Sequence, residues 1–182
     1  RLENPDETSR WYPGAGLYRN VWVTYASGVK VAEWGTQITT PRVDKEWAQV
    51  NIKTTLENHT FTEPERISIR TALLEGGNEV AVMENSGSEL MGNLLEQNIK
   101  LQHPKLWDLD EPNLYTALTQ VFVDGELVDS YQTRFGVRTI ELRPDDGFYL
   151  NGKKVMIQGV CLHHDLGPLG GASHKRGYER QI

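Results

Sequence analysis

The residues most suited to chemistry gather near the end of the chain. Cys161 and His163 are two positions apart, so on a strand both side chains would project to one face, and His164, Asp165 and His174 follow. Thiolate, imidazole and carboxylate groups are the ligands of tetrahedral zinc. The spacing matches no standard zinc motif, so we predict no metal site. Instead of a functional role, His163 can have a structural one, with its ring buried against backbone carbonyls.

Length and charge exclude several classes of function. The chain has 182 residues, enough for one domain with parts of its neighbours but fewer than the roughly 250 of a complete α/β barrel. Its net charge of -6 has the wrong sign for binding a phosphate backbone, so we predict no nucleic-acid partner. No apolar run approaches the roughly 18 residues of a membrane span, so we predict no membrane contact. The single cysteine permits no internal disulfide. Because the chain begins without a methionine or a signal segment, we expect it to be an excised fragment.

Alternation of apolar and polar residues, the period of a half-buried strand, dominates the chain. It runs through residues 48–57 and 67–73, and Gly76-Gly77-Asn78 predicts a hairpin after the second of these. Residues 95–101 form another strand that ends before Pro104. Both alternating sets are apolar over 114–123, which indicates a central strand.

The next segments complete a sandwich. Asp124-Gly125 predicts a turn into a strand over 127–138, in which we expect Leu127, Tyr131 and Phe135 to face inward. With Val21–Tyr25 and the segment after Thr36, about seven strands are predicted. This number and spacing indicate an all-β, antiparallel β-sandwich over roughly residues 24–142.

The character of the sequence changes after Leu142. Asn151-Gly152 predicts a separate hairpin, and no strand pattern follows Gly159. We therefore expect the tail to belong to another unit.

Five segments resemble, in order and spacing, motifs of glycoside hydrolase family 2, with the nearest likeness to its β-galactosidases. They are 9–22 (SRWYPGAGLYRNVW), 104–115 (PKLWDLDEPNLY), 134–138 (RFGVR), 148–153 (FYLNGK) and 159–165 (GVCLHHD). The resemblance covers about residues 9–172. It implies the end of a sugar-binding jelly-roll domain at 1–23, an immunoglobulin-like β-sandwich at 24–142 and the truncated start of a TIM-barrel catalytic domain at 143–182. Within the sandwich we expect Trp107 and Tyr115 to fill the core.

The resemblance also implies site residues. It places His163 at the end of the first barrel strand as a substrate-binding residue, with His164, Asp165 and Arg10 as further candidates. Cys161 and Leu162 stand where the family commonly has Asn and Arg. A retaining glycosidase needs two carboxyl groups about 5–5.5 Å apart. Family members carry them on later barrel strands, so we expect no catalytic residue in this chain and no turnover by it alone.

The resemblance thus predicts a structural, interdomain module of an enzyme that hydrolyses terminal β-galactosides with retention. The alternative is a free-standing immunoglobulin-like module that binds carbohydrate or protein. Expected partners are the neighbouring sugar-binding and barrel domains and, in the full-length enzyme, a β-galactoside. Magnesium and sodium can serve the full-length enzyme, and we expect neither in this segment. The sequence leaves open whether the substrate is a galactoside, a glucuronide or a mannoside, and it leaves open the oligomeric state. A periplasmic or extracellular location would suit polysaccharide degradation.

Overall fold

The computed structural model describes residues 17, 19–162, 166–170, 172 and 174–181. The chain divides into two compact units, one formed by residues 25–157 and one drawn from its two ends. The described residues of the end unit include a 3-10 turn, Gly167–Leu169, and a short helix, Lys175–Glu179. None of the described residues forms a helix long and apolar enough to cross a membrane.

The unit at 25–157 is built from antiparallel sheets, which confirms the all-β class. Its seven longer strands, in chain order, are β1 (Val29–Val43), β2 (Trp47–Asn58), β3 (Ile67–Glu75), β4 (Asn78–Ser86), β5 (Leu94–Gln102), β6 (Tyr115–Val123) and β7 (Glu126–Phe135). Three of them form one sheet in the order β1-β2-β5, and four form another in the order β4-β3-β6-β7. Single 3-10 turns lie at Pro64–Arg66 and Gly87–Glu89. A small third sheet contains β8 (Ile140–Arg143), β9 (Gly147–Leu150) and β10 (Lys153–Val155), in the order β10-β9-β8.

The predicted alternation sets the inward face of each sandwich strand. On β2, every second residue from Ala48 to Leu56 is buried. Tyr115 is 2% exposed and packs with Ile52 and Leu73, which confirms its predicted place in the core. Burying an apolar side chain of this size contributes about 1.5–3 kcal/mol, so this shared interior holds the two sheets together.

Two-residue turns of the predicted kind close three hairpins. Gly76-Gly77, Asp124-Gly125 and Asn151-Gly152 all have positive φ at both residues. That conformation matches the twist of antiparallel strands, and Gly, Asn and Asp adopt it most readily. The turn chemistry read from the sequence is therefore confirmed.

Three expectations about particular residues were wrong. Val21–Tyr25 is irregular rather than a strand, with Trp22 and Tyr25 exposed, and the first strand begins at Val29. Leu127 is 52% exposed because a bulge on β7 inserts Val128 between the pairs Val121–Asp129 and Phe122–Leu127. Trp107 is half-buried beside β7 rather than in the core.

Candidate functional site

The predicted substrate-binding residues lie outside the described part of the chain. They are Arg10, His163, His164 and Asp165, and their roles stay predictions. Of the remaining residues of the weighed zinc set, Cys161 and His174 are exposed. Within the described residues, no three His, Cys, Asp or Glu side chains come together as metal ligands would.

Motif residues from three separate segments meet at one end of the sandwich. Leu106 in the β5–β6 connection makes a parallel β-bridge with Val137, which follows β7. The Trp107 backbone N–H donates to the Val137 carbonyl oxygen at 2.9 Å. We call this region the basal junction, comprising residues 104–115, 134–139 and Asn151. It joins the sandwich to the chain that leads into β8.

Gly136 permits the closest approach in the basal junction. A Cβ atom at this position would lie 2.6 Å from Trp107 Cβ and 2.8 Å from Trp107 Cγ. The Arg138 guanidinium lies over the Trp107 ring, 5.1 Å from the ring centroid. A cation over an indole face is attracted by the ring quadrupole. The Arg-Phe-Gly-Val-Arg motif thus supplies both a gap for Trp107 and a cation to hold it.

Asn151 ties the β9–β10 turn to the same region. Its side-chain Nδ2 donates to the Trp107 carbonyl oxygen at 2.9 Å, and its Oδ1 accepts from the Thr139 backbone N–H at 3.0 Å. Its own backbone N–H donates to the Thr139 carbonyl oxygen at 3.0 Å. One asparagine therefore both forms a left-handed turn and satisfies polar groups of two other segments.

Tyr115 anchors the junction from inside the sandwich. Its hydroxyl accepts a hydrogen bond from the Lys105 backbone N–H at 2.9 Å, and its ring centroid lies 5.8 Å from that of Phe135. Burial raises the pKa of the Tyr115 hydroxyl. The Lys105 ammonium pairs with Glu75, which raises the pKa of that lysine. Tyr115 is therefore a neutral group that ties the β5–β6 connection to the sandwich core.

The small sheet carries a charged face. Arg143 donates to both carboxylate oxygens of Glu141 at 2.8 and 2.9 Å, and its guanidinium lies 3.7 Å from the centroid of the Tyr149 ring. Lys154 Nζ and the Tyr149 hydroxyl both donate to Asp146, at 2.6 and 2.5 Å. These donors lower the pKa of Glu141 and that of Asp146. The network stabilises the conformation of three very short strands.

The opposite face of the small sheet is apolar and only partly covered, with Leu150 buried at 3% exposure. Strand register places Ile140 beside Leu150 and Leu142 beside Phe148. Ile140 is 56% exposed and Leu142 is 76% exposed. The chain just beyond β10 adds further exposed apolar side chains, those of Met156 and Ile157. We call Ile140, Leu142, Phe148, Met156 and Ile157 the apolar patch. Contiguous exposed apolar surface marks interaction sites in soluble proteins.

The carboxyl groups of this unit whose pKa is shifted are all paired with nitrogen donors. Among the described residues, the carboxyl groups with a shifted pKa are Glu57, Asp124, Glu141 and Asp146, and every shift is downward. Each is caused first by hydrogen bonding to a nitrogen donor of a cationic or histidine side chain. The general acid of a glycosidase needs the reverse, a raised pKa. These carboxylates are therefore ion-pair partners.

Fold and site together define an all-β sandwich module with a basal junction held by hydrogen bonds and close packing, and with a partly exposed apolar patch. The sequence model for glycosyl hydrolases family 2 matches residues 31–138. The chain belongs to this family.

Individual relatives carry two activity names. The chain is 41% identical over its whole length to a protein named beta-galactosidase BoGH2A from Bacteroides ovatus and covers 22% of that protein. It is 28% identical to a beta-glucuronidase of Bacteroides fragilis, over 92% of the chain and 25% of that protein. The crystal structure of a family 2 member from Bacteroides cellulosilyticus DSM 14838 matches all of the chain and 25% of its own, with a TM-score of 0.86 and 28% identity. The chain thus spans about a fifth to a quarter of the length of these relatives. These comparisons give no support to the alternative of a free-standing binding module.

Proposed function

We propose that this chain is the interdomain β-sandwich of a family 2 enzyme that, when complete, hydrolyses terminal β-galactosides with retention. The observation that carries the choice of sugar is the 41% identity, across the whole chain, to a protein named beta-galactosidase. The identity to the named beta-glucuronidase is 28%. The difference favours galactosides over glucuronides.

The module's work is to position neighbouring domains, with the sugar-binding domain before it and the barrel after it. A positioning element must resist deformation, and the basal junction supplies this through Trp107, Gly136 and Asn151. It must also offer a surface to bury. Leu142 and Ile140 in the apolar patch are such a surface, since covering a side chain of this size contributes about 1.5–3 kcal/mol.

The chemical part of the proposal rests on the tail. His163 donates a hydrogen bond to a sugar hydroxyl, and this bond strengthens as the ring distorts toward the oxocarbenium-like transition state. His164, Asp165 and Arg10 are proposed as further sugar-binding residues. The acid/base and the nucleophile lie in the barrel beyond this chain, and magnesium or sodium serves the complete enzyme. The 182 residues alone therefore have no turnover.

The test compares the complete enzyme with the 182-residue chain on 4-nitrophenyl β-galactoside and 4-nitrophenyl β-glucuronide. We expect the complete enzyme to prefer the galactoside, to release the β-anomer first by proton NMR, and the chain alone to be inactive. His163→Ala should lower kcat/KM about 10²-fold or more, whereas His59→Gln, at an exposed histidine of the sandwich, should not. Preference for the glucuronide would refute the assigned sugar. Turnover by the chain alone would refute the assigned role.

A further inference from the structure

The interior of the sandwich is divided by a layer of polar side chains. One apolar cluster contains Ala48, Val50, Ile52, Leu73, Ile99, Leu101, Tyr115, Ala117 and Val137. The other contains Val29, Val31, Leu56, Ile67, Ile69, Leu95 and Val121. Between them, Thr54, Thr71 and Thr119 are 0% exposed and Gln97 is 1% exposed. Polar groups this deeply buried are costly unless each finds a hydrogen-bond partner.

Strand register shows that the layer crosses both sheets. Thr36 on β1 lies directly opposite Thr54 on β2. Thr71 on β3 lies opposite Thr119 on β6, and their hydroxyl oxygens are 3.3 Å apart. Thr133 on β7 pairs with Ala117, one inward position along β6 from Thr119. The layer therefore has hydroxyl groups on two strands of one sheet and three of the other.

One direct hydrogen bond links the two sheets within the layer. Gln97 Nε2 on β5 donates to Asn85 Oδ1 on β4 at 2.8 Å. Asn85 Nδ2 in turn donates to Glu89 Oε2 at 2.9 Å, and the other Glu89 oxygen accepts from the Ser86 backbone N–H. This chain of bonds fixes the orientation of both amides. It consequently leaves Gln97 Oε1 as an acceptor within the interior.

Four buried atoms of the layer have no hydrogen-bond partner among the described residues. They are Thr36 Oγ1, Thr54 Oγ1, Gln97 Oε1 and Thr133 Oγ1. Buried polar side-chain atoms in native proteins nearly always bond to protein or to ordered water. Four exceptions in a single layer therefore need a common explanation.

We propose that the layer is a binding site for internal water, which bridges the two sheets. A buried water makes about three hydrogen bonds, and hydroxyl groups that donate and accept, together with the Gln97 carbonyl, are suitable partners. The β1–β2 register is interrupted between Val31 and Thr36, next to the Thr36 and Thr54 hydroxyls. The bound water fixes the two sheets in one alignment, which purely apolar clusters alone specify less sharply.

The sign of one isosteric substitution tests the proposal. Thr54→Val removes a water ligand, so we expect the unfolding equilibrium constant of the 182-residue chain to rise about 5–30-fold in urea titrations. If the layer is dry, the same change removes an unpaired hydroxyl and lowers the constant. Val50→Thr is the matched control on the same strand and face, and it reports what an unpaired hydroxyl costs in this core.

A crystal structure of the unsubstituted chain at about 1.5 Å gives a second readout that does not depend on any variant folding. The proposal predicts a solvent oxygen within hydrogen-bond distance, about 2.5–3.2 Å, of Thr54 Oγ1 and of at least one other polar atom of the layer. A lowered unfolding constant in Thr54→Val, or a layer without such an oxygen, would overturn it.

Discussion

A single added methyl group at Gly136 should loosen the basal junction. The backbone of Gly136 does not need a positive φ, so alanine is conformationally allowed there and only the space is missing. The new Cβ would lie 2.6 Å from Trp107 Cβ, and Cβ cannot move by rotating a side chain. The Trp107 backbone must therefore withdraw, which strains its hydrogen bond to Val137.

Overpacking of this kind costs about 1–3 kcal/mol. At about 2–4 °C per kcal/mol for a chain of this size, Gly136→Ala should lower the Tm by about 2–12 °C. Gly159→Ala is the matched control, because a Cβ at Gly159 meets nothing within 4 Å. Its Tm should not change measurably.

Two variants of Trp107 show which tryptophan atom causes the cost of Gly136→Ala. Trp107→Ala keeps the Cβ atom that Gly136 approaches, so the cost of Gly136→Ala should persist in it. Trp107→Gly removes that atom, and there the cost should nearly vanish. Urea unfolding of the single and double variants measures this coupling directly. A cost of Gly136→Ala below about 0.5 kcal/mol, or an equal cost in both backgrounds, would refute the argument.

Two further changes test other contacts. Asn151→Gly keeps the left-handed turn but removes the side-chain bonds to Trp107 and Thr139, so urea unfolding should show a loss of about 1–3 kcal/mol; an unchanged midpoint would contradict the bridging role. Hydrogen bonding to Arg66 lowers the pKa of Asp124, so its contribution is present above the unfolded value near pH 4 and is lost as pH falls through the lower folded value. The stability gap between the protein and Asp124→Asn should therefore narrow on acidification, and a gap that widens would be inconsistent with this ion pair.

Features that depend only on residues close in sequence could be predicted from the sequence. Alternation along β2 and the Asn151-Gly152 turn depend on neighbouring residues, and both were confirmed. Leu127 was misplaced because the β7 bulge arises from pairing with β6, which alternation along one strand does not contain. Likewise, Thr54 and Thr71 follow the alternation of their own strands, but the polar layer that they form exists only once two sheets are stacked.

The basal junction was only partly visible in the sequence. Its motifs could be recognised, but the meeting of Trp107 with Gly136 and Asn151 joins segments 29 and 44 positions apart. The lone glycine between Phe135 and Val137 was the available signal, since glycine often marks a close approach of two backbones. The apolar patch had no such signal, because Leu142 alternates like an ordinary strand residue.

Amide hydrogen exchange of the 182-residue chain and of the complete enzyme tests the central claim most directly. If the module positions its neighbours through the apolar patch, amides at 140–143 and 156–157 should exchange about tenfold or more slowly in the complete enzyme. Amides at 48–56, already within the sandwich core, should exchange alike in both. Equal exchange of the patch in the two proteins would contradict the account.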